Sequence, residues 1–398
     1  MNGPIKLAWK YIIYHKYKSL ILVACIFLTA LLPIAIKILL SQFNQKITVR
    51  ADSTPAVVGA KGSSLDLTLN AIYFKSGTVD TIAFSEVERV RENGAVAETP
   101  VLAIPIHSMF TAREFPVVGT SLDYFAFRGL SLQRGSQFTT LGDCVLGGKV
   151  AQELAVDVGD YIISDRDNVL NLAGDSPLRL NVVGVLGESR TPDDLAVFVD
   201  VKTAWVIQGL GHGHQDLNQE SEESGKLISK SKDGIVASKA VESFIEITPE
   251  NIESFHFHGD ISDFPITSII AVSETEKDDT VLEGRYARDS SIQFTKPSDD
   301  VRELMSLVFR VKQFFDANAI LIAISTGLLL FLVMLLSMRL RRREMETMFK
   351  LGCSRNTIVQ LQFAEMLIIF GVALVFVSVA IWGVTIISGD IVESILVS

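Results

Sequence analysis

Three long apolar runs decide what this chain can fold into. Residues 20–40, 319–338 and 361–387 each carry enough consecutive apolar side chains to cross a bilayer, for which roughly 20 are needed against ~30 Å of hydrocarbon. Backbone groups in lipid have to be satisfied within the segment, so each run is expected to be a helix. The overall balance agrees: 48% of residues are hydrophobic, 21% are charged and the mean hydropathy is +0.35, too apolar for an ordinary soluble chain. Residues 42–315 are different. Their mixed polarity and scattered charge suffice for a folded domain with a core of its own.

Basic residues set the orientation. Lys6, Lys10, Lys16 and Lys18 precede the first span, and Arg339, Arg341, Arg342, Arg343, Lys350 and Arg355 fill the loop between the second and third, so both segments are expected in the cytoplasm. The N-terminus is then inside, residues 42–315 outside, and the C-terminus outside. The first span is too long for a signal-peptide core and no small-residue cleavage site follows it, so it is expected to be retained. Ile5, Ala8, Trp9, Ile12 and Ile13 alternate with Lys6, Lys10 and Lys16 at helical spacing, which predicts an interfacial helix along membrane lipids. Pro33 and Lys37 in the first span read as a tolerated membrane proline and a snorkelling lysine.

Of the 36 Lys and Arg and the 46 Asp and Glu, the middle segment holds 25 and 40, a net charge of −15. That sign argues against nucleic acid and against docking on an anionic leaflet; it is compatible with cationic or metal ligands, the other reading being solubility alone. Cys25, Cys144 and Cys353 fall in a span, the outer domain and the cytoplasmic loop, so no internal disulfide is expected.

Along the outer domain, residues 65–74 read as a first strand, and 85–93 as a helix capped by Ser85 and stopped by Gly94. Strand signals recur at 101–106, 115–118, 144–146, 161–163, 180–186, 196–199, 243–247, 254–257 and 267–272. Residues 212–232 are Glu- and Ser-rich and read as a mobile loop. Ser298 is expected to cap a helix with Asp299 and Asp300 in its first turn. Leu304, Val308, Val311 and Phe315 recur at spacings of four, three and four and run without a breaker into the second span, which predicts a stalk helix; the other reading is a helix packed on its own domain. In the cytoplasmic loop, Met345, Met348 and Phe349 share one face of a short helix that Gly352 ends in a left-handed turn, with Ser354 capping the next helix.

The loop from Arg339 to Arg355, followed by Glu365 at the head of an apolar span, resembles the signature of the FtsX-like permease family. Val117-Val-Gly-Thr-Ser-Leu-Asp-Tyr-Phe, Gly129-Leu, Gly135, Cys144-Val-Leu-Gly-Gly-Lys-Val-Ala-Gln-Glu-Leu, Val158-Gly-Asp and Val182-Val-Gly-Val-Leu are similar to the periplasmic core domain of MacB-type permeases. The resemblance implies an α+β membrane protein: three transmembrane helices and a large mixed α/β extracytoplasmic domain on helical stalks. Its parts would be an interfacial helix and first span at 1–41, a periplasmic core at 42–315 with a stalk at 298–317, spans at 318–338 and 361–387, a coupling loop at 339–357, and a tail at 388–398. It further implies a non-catalytic, type VII mechanotransmission permease of the bacterial inner membrane. ATP and magnesium would bind a separate cytoplasmic ABC ATPase, which receives the coupling helix of Arg343, Glu344, Met345, Glu346, Met348, Phe349, Lys350 and Gly352; the blander reading lets Met and Phe dip into the bilayer interface. Other implied partners are a second permease, identical or a sister, and a periplasmic adaptor or substrate-binding protein. The work would be extraction or export of a lipoprotein, peptide, drug or metal complex; the alternative is a regulator of a periplasmic cell-wall hydrolase. The family's usual fourth span is not found in residues 388–398, so either a three-span variant or a shortened chain is expected.

Catalytic signatures are absent from the sequence. Residues 142–149, Gly-Asp-Cys-Val-Leu-Gly-Gly-Lys, approach a phosphate loop, but Lys149 comes one place late and Val150 stands where Ser or Thr would hold magnesium; a turn and strand is expected. Four histidines form two His-x-His pairs, His212 with His214 and His256 with His258. Alternate residues of a strand face one side, so His256 and His258, with Asp260 or Asp263 and the loop pair, are candidate ligands for zinc or copper; the other reading is solvated surface histidine.

Overall fold

The computed structural model describes residues 3–75, 79–94, 101–165, 177–213, 227–231, 234–237, 245–273, 275–340, 342–350 and 352–397. The chain divides into two units, Met1–Lys46 with Leu304–Val392, and Ile47–Glu303 with Glu393–Ser398.

The first unit is helical. Gly3–Tyr14 forms the short amphipathic helix, and the helices Lys16–Asp52, Pro297–Leu340 and Arg355–Val397 contain the three segments long and apolar enough to cross a membrane. At 1.5 Å per residue these helices are roughly 55–65 Å long, about twice the hydrocarbon thickness. The expected run from stalk into span is one unbroken 44-residue helix. Two boundaries differ from expectation. Pro297 itself opens that helix, the position where its missing N–H is no loss, so Ser298 lies inside the first turn and is not the cap. Residues 388–397 continue the third helix, which runs on to Val397 without a Pro.

Polar side chains join the spans within this unit. Thr29 and Thr326 hydroxyls meet at 3.1 Å, Lys46 Nζ donates to the Gly389 carbonyl at 2.8 Å, and Ser388 Oγ donates to Gln42 Oε1 at 2.7 Å. In lipid such bonds are what helices gain over apolar contact alone.

The second unit is built on a mixed sheet of eleven described strands. In spatial order its path is Ile245–Glu246, Leu178–Leu186, Asp143–Leu146, Val197–Asp200, Phe115–Thr120, Leu102–Ala112, Ser268–Val272, Ala56–Ala60 and Ile292–Thr295; Leu132–Gly135 and Tyr161–Ile163 also pair with Leu178–Leu186. Phe115–Thr120 runs parallel to Val197–Asp200, whereas Ala56–Ala60 is antiparallel to both neighbours. Two apolar clusters form the core. One gathers Leu146, Leu180, Val199 and Ala204; the other gathers Val58, Ile269, Leu282 and Trp205. The helix Val201–Ile207, capped by the Asp200 side chain on Lys202 N–H, supplies both. Trp205 Nε1 donates to the Pro265 carbonyl at 2.7 Å, so its buried ring leaves no orphan donor.

The expected strand at 65–74 is a helix, Ser64–Tyr73. Leu65, Leu67 and Leu69 alternate like a strand, but Ser63 accepts the Asp66 N–H as an N-cap and Phe74 closes the other end in a left-handed conformation. Burial then follows helical spacing through Leu67, Ala71 and Thr68, Ile72. The first strand is Ala56–Ala60, whose near-complete burial suppresses alternation. The segment 212–232, read as a loop, has strands at its ends, Gly211–Gly213 and Leu227–Ser231; residues 214–226 lie outside those described. At the near-phosphate loop, the strand Asp143–Leu146 passes into the short helix Gly148–Leu154, so the turn there is strand to helix. A Cβ on Gly147 would stand 2.4 Å from the carbonyl oxygens of Asp193 and Asp194. Acceptors, rather than phosphate-binding N–H groups, face that glycine.

Candidate functional site

One candidate is the helix Arg342–Lys350, between the second and third long helices. Its end is local chemistry: Gly352 takes φ +95°, its N–H donates to the Phe349 carbonyl at 3.0 Å, and the Cys353 N–H donates to the Met348 carbonyl at 3.1 Å. A side chain at Gly352 would be strained there. Ser354 Oγ then accepts the Thr357 N–H at 3.2 Å and caps the third long helix. Both sequence expectations for this turn hold.

Met345, Met348 and Phe349 lie at three- and four-residue spacing, which is one helix face. Met345 and Met348 are half-buried and Phe349 is 52% exposed. Arg343, Glu346 and Lys350 are exposed around them, and of Glu344 only the backbone is described. The Arg342–Glu346 pair at 3.3 Å sits in open solvent, where it contributes little. The arrangement is an apolar face within a charged collar. A pairing that the sequence did not announce stands within the same unit: Lys18 Nζ lies 3.5 Å from Glu365 Oε1, with Glu365 8% exposed. Both residues are visible in the sequence, but nothing in their local spacing connects them.

In the α/β unit, Arg50 and Asp193 form a buried, bidentate pair. Arg50 Nη1 donates to Asp193 Oδ2 at 2.7 Å and Nη2 to Oδ1 at 2.9 Å. Tyr124 Oη donates to Asp193 Oδ1 at 2.6 Å, Thr191 Oγ1 to Oδ2 at 2.8 Å, and Arg50 Nε to the Ile72 carbonyl. Burial works to raise the Asp193 carboxyl, but the Arg50 charge and the donors outweigh it and hold it at about 2. The pair fastens residue 50 to a turn 143 positions away.

His107 is the opposite case. It is fully buried, its Nε2–H donates to Gln208 Oε1 at 3.1 Å and its Nδ1 has no partner; burial pushes it down to about 4, against the raising effect of the Gln208 bond. Below pH 6.5 the unfolded chain takes a proton that the folded chain refuses until about pH 4. Stability is therefore expected to fall over that window by about 3 kcal/mol. The Asp193 contribution is present above its ordinary 3.8 and is lost as pH falls towards 2. Thermal unfolding of the chain in detergent across pH 8 to 4 checks this; the loss between 6.5 and 4 should shrink in H107N, and an unchanged slope there would assign it elsewhere.

The histidines of the outer domain are brought together in part. Gly211–Gly213 and Phe255–Phe257 form a two-stranded antiparallel ribbon in which His212 is the direct partner of His256. The His256 and His258 rings lie 4.7 Å apart, edge to face. His256 Nδ1–H donates to the Ser254 carbonyl at 3.0 Å. His214 is outside the described residues, and of His212 only the backbone is described. Among the described residues no group of three or more His, Cys, Asp or Glu side chains gathers. Asp260 Oδ1 is engaged by the Ser262 N–H at 2.9 Å, capping its own turn.

The profile of one protein family, described as the MacB-like periplasmic core domain, matches residues 22–247. Among curated proteins no relative matches. Solved structures similar to the chain include the periplasmic region of MacB from Actinobacillus actinomycetemcomitans, at 12% identity and a TM-score of 0.36, covering 66% of this chain and 98% of that one. Another is the extracellular domain of the noncanonic ABC-type transporter YknZ from Gram-positive bacteria, at 11% identity and a TM-score of 0.32, covering 61% and 99%.

Proposed function

The chain belongs to the MacB-like periplasmic core domain family, and from that premise we propose that it is the permease subunit of an inner-membrane ABC system, non-catalytic itself and driven by a separate cytoplasmic ATPase. The family match, over more than half of the chain, carries this reading. Three helices of membrane length support it, as does the apolar-faced helix Arg342–Lys350 set between the second and third. Basic residues around that helix favour the cytoplasm, where the ATPase would be found.

In this mechanism ATP binding closes two ATPase subunits on each other, and the coupling helices of two permease copies follow. The helix Pro297–Leu340 is continuous and has no Pro after its first residue, so it can transmit displacement along its length. The outer domain then changes its hold on a substrate taken from the periplasm or outer leaflet, and no substrate has to pass through the membrane. The size of the α/β unit favours extraction or export over regulation of a cell-wall hydrolase.

The test is purification of the tagged chain from native membranes in mild detergent, with co-purifying proteins identified and nucleotide hydrolysis measured. An ABC ATPase and a second permease copy or sister are expected in stoichiometric amounts. Recovery of a cell-wall hydrolase would favour the regulator. Failure to recover any ATPase after cross-linking in intact cells would overturn the permease reading.

A further inference from the structure

The last turn of the helix Lys16–Asp52 and the first turn of the helix Pro297–Leu340 both belong to the α/β unit. Within that unit one short helix, Ser64–Tyr73, holds the two of them. From the first, Arg50 Nε donates to the Ile72 carbonyl, and the Ile47 carbonyl accepts from Tyr73 Oη at 3.3 Å. From the second, Asp300 Oδ2 accepts from Thr68 Oγ1 at 2.6 Å, and the same oxygen accepts from Thr295 Oγ1 at 2.6 Å. Thr68 and Ile72 stand four residues apart, on one helix face. Ile47, Arg50, Thr68, Ile72, Tyr73 and Asp300 are all buried.

Each bond answers a local need. The Ile72 carbonyl is among the last four of its helix, which find no partner within it, and a cation there complements the helix dipole. Asp300 lies in the first turn of its own helix, where a carboxylate is favoured, and the two hydroxyl donors offset its burial. Other sides of the short helix are pinned to the sheet. Asn70 Nδ2 donates at 2.9 Å to the carbonyl of Ser108, in the strand Leu102–Ala112. Leu67 lies so closely over Gly59 of the strand Ala56–Ala60 that a Cβ there would collide with its methyl groups. The direct link between the two long helices, Arg302 Nη2 to Asp52 Oδ1 at 3.8 Å, is exposed on both sides and contributes little by comparison.

We propose that Ser64–Tyr73 is a crossbar: it locks the end of the first long helix to the start of the second, so that loosening either one loosens the other. Segments bound to one rigid element open as a single cooperative unit in the native state, and a shared element that both partners bias is what physical coupling requires. The inference rests on bonds inside the α/β unit and needs neither the ATPase nor a second permease.

The experiment is amide hydrogen exchange of the full chain in detergent, read by mass spectrometry on peptides covering residues 47–52, 64–73 and 298–303. T68V keeps the shape of the side chain and removes a donor to Asp300; Y73F removes the donor to the Ile47 carbonyl. T68V should speed exchange roughly tenfold or more in 298–303, and also in 47–52, the segment held through Arg50 and Tyr73. Y73F should do the same in 47–52 and, across the crossbar, in 298–303. Exchange in the strand Asp143–Leu146, which belongs to the other apolar cluster, should keep its wild-type rate, and this separates release of the crossbar from unfolding of the domain. If T68V unfolds the domain outright, D300N, which keeps the shape and weakens both hydroxyl bonds, is read in its place. Faster exchange confined to the segment that each side chain bonds, or no change in any of the three, would overturn the crossbar and leave separate contacts.

Discussion

In a chain carrying both M348D and F349D, nucleotide hydrolysis by the co-purified ATPase should no longer respond to the permease, and the ATPase itself should be recovered poorly. The two side chains stand on one face of a nine-residue helix that ends at the left-handed turn of Gly352, with Ser354 capping the next helix. A knob of this kind works by filling an apolar groove. An Asp at a central apolar contact of an interface typically loses ~2 kcal/mol or more, since the carboxylate has to be desolvated without a partner. Two together correspond to an affinity loss on the order of a hundredfold or greater. The thermal midpoint of the outer unit should not move, because the substitutions lie in the other unit. Quantitative ATPase recovery with unchanged activity would remove the coupling role and leave Met and Phe as residues dipping into the bilayer interface.

The second large effect is expected at the buried ion pair. D193N keeps the shape of the side chain but removes the charge that compensates Arg50, in a site where Asp193 is 1% exposed and Arg50 7%. Breaking one half of a buried pair typically costs 3–5 kcal/mol, a large share of the 5–15 kcal/mol that holds a domain together. R50M should be comparable, with the carboxylate left among Tyr124 and Thr191 and no cation. The double variant R50M/D193L should recover much of the loss, since an apolar pair of similar volume often replaces a buried salt bridge at little net change. Urea or thermal unfolding of the wild type, R50M, D193L and R50M/D193L reads the cycle directly. Additive losses in the double variant would mean that the two side chains stabilise the fold independently.

These two sites also mark how far sequence reasoning reaches. The helix Arg342–Lys350 and its turn were legible because every determinant is local: a basic collar, three apolar residues at helical spacing, then Gly and Ser at a stop and a start. The membrane helices were legible because length and apolarity alone identify them. Where local and tertiary signals compete, the reading failed. Leu65, Leu67 and Leu69 alternate, yet capping by Ser63 and burial of Ala71 and Ile72 make that segment a helix. Ala56–Ala60 is covered on both faces and so shows no pattern at all. The Arg50–Asp193 pair and the alignment of His212 with His256 depend on folding distant segments together; the residue types were visible, but their partners could not be inferred from spacing.

The sheet order has a consequence for how the protein is made. Ala56–Ala60, the first strand to be synthesised, is flanked on both sides by strands from the far end of the domain, Ser268–Val272 and Ile292–Thr295. At 5–20 residues per second, about 10–40 s separate its synthesis from that of its first neighbour. Throughout that interval an apolar strand with two unpaired edges waits beyond the membrane, where such edges invite pairing with other chains. Biogenesis of this permease should therefore depend on holdase chaperones outside the cytoplasm more than on the insertion of its helices, and their loss should trap the chain as a membrane-inserted, unfolded and protease-sensitive form.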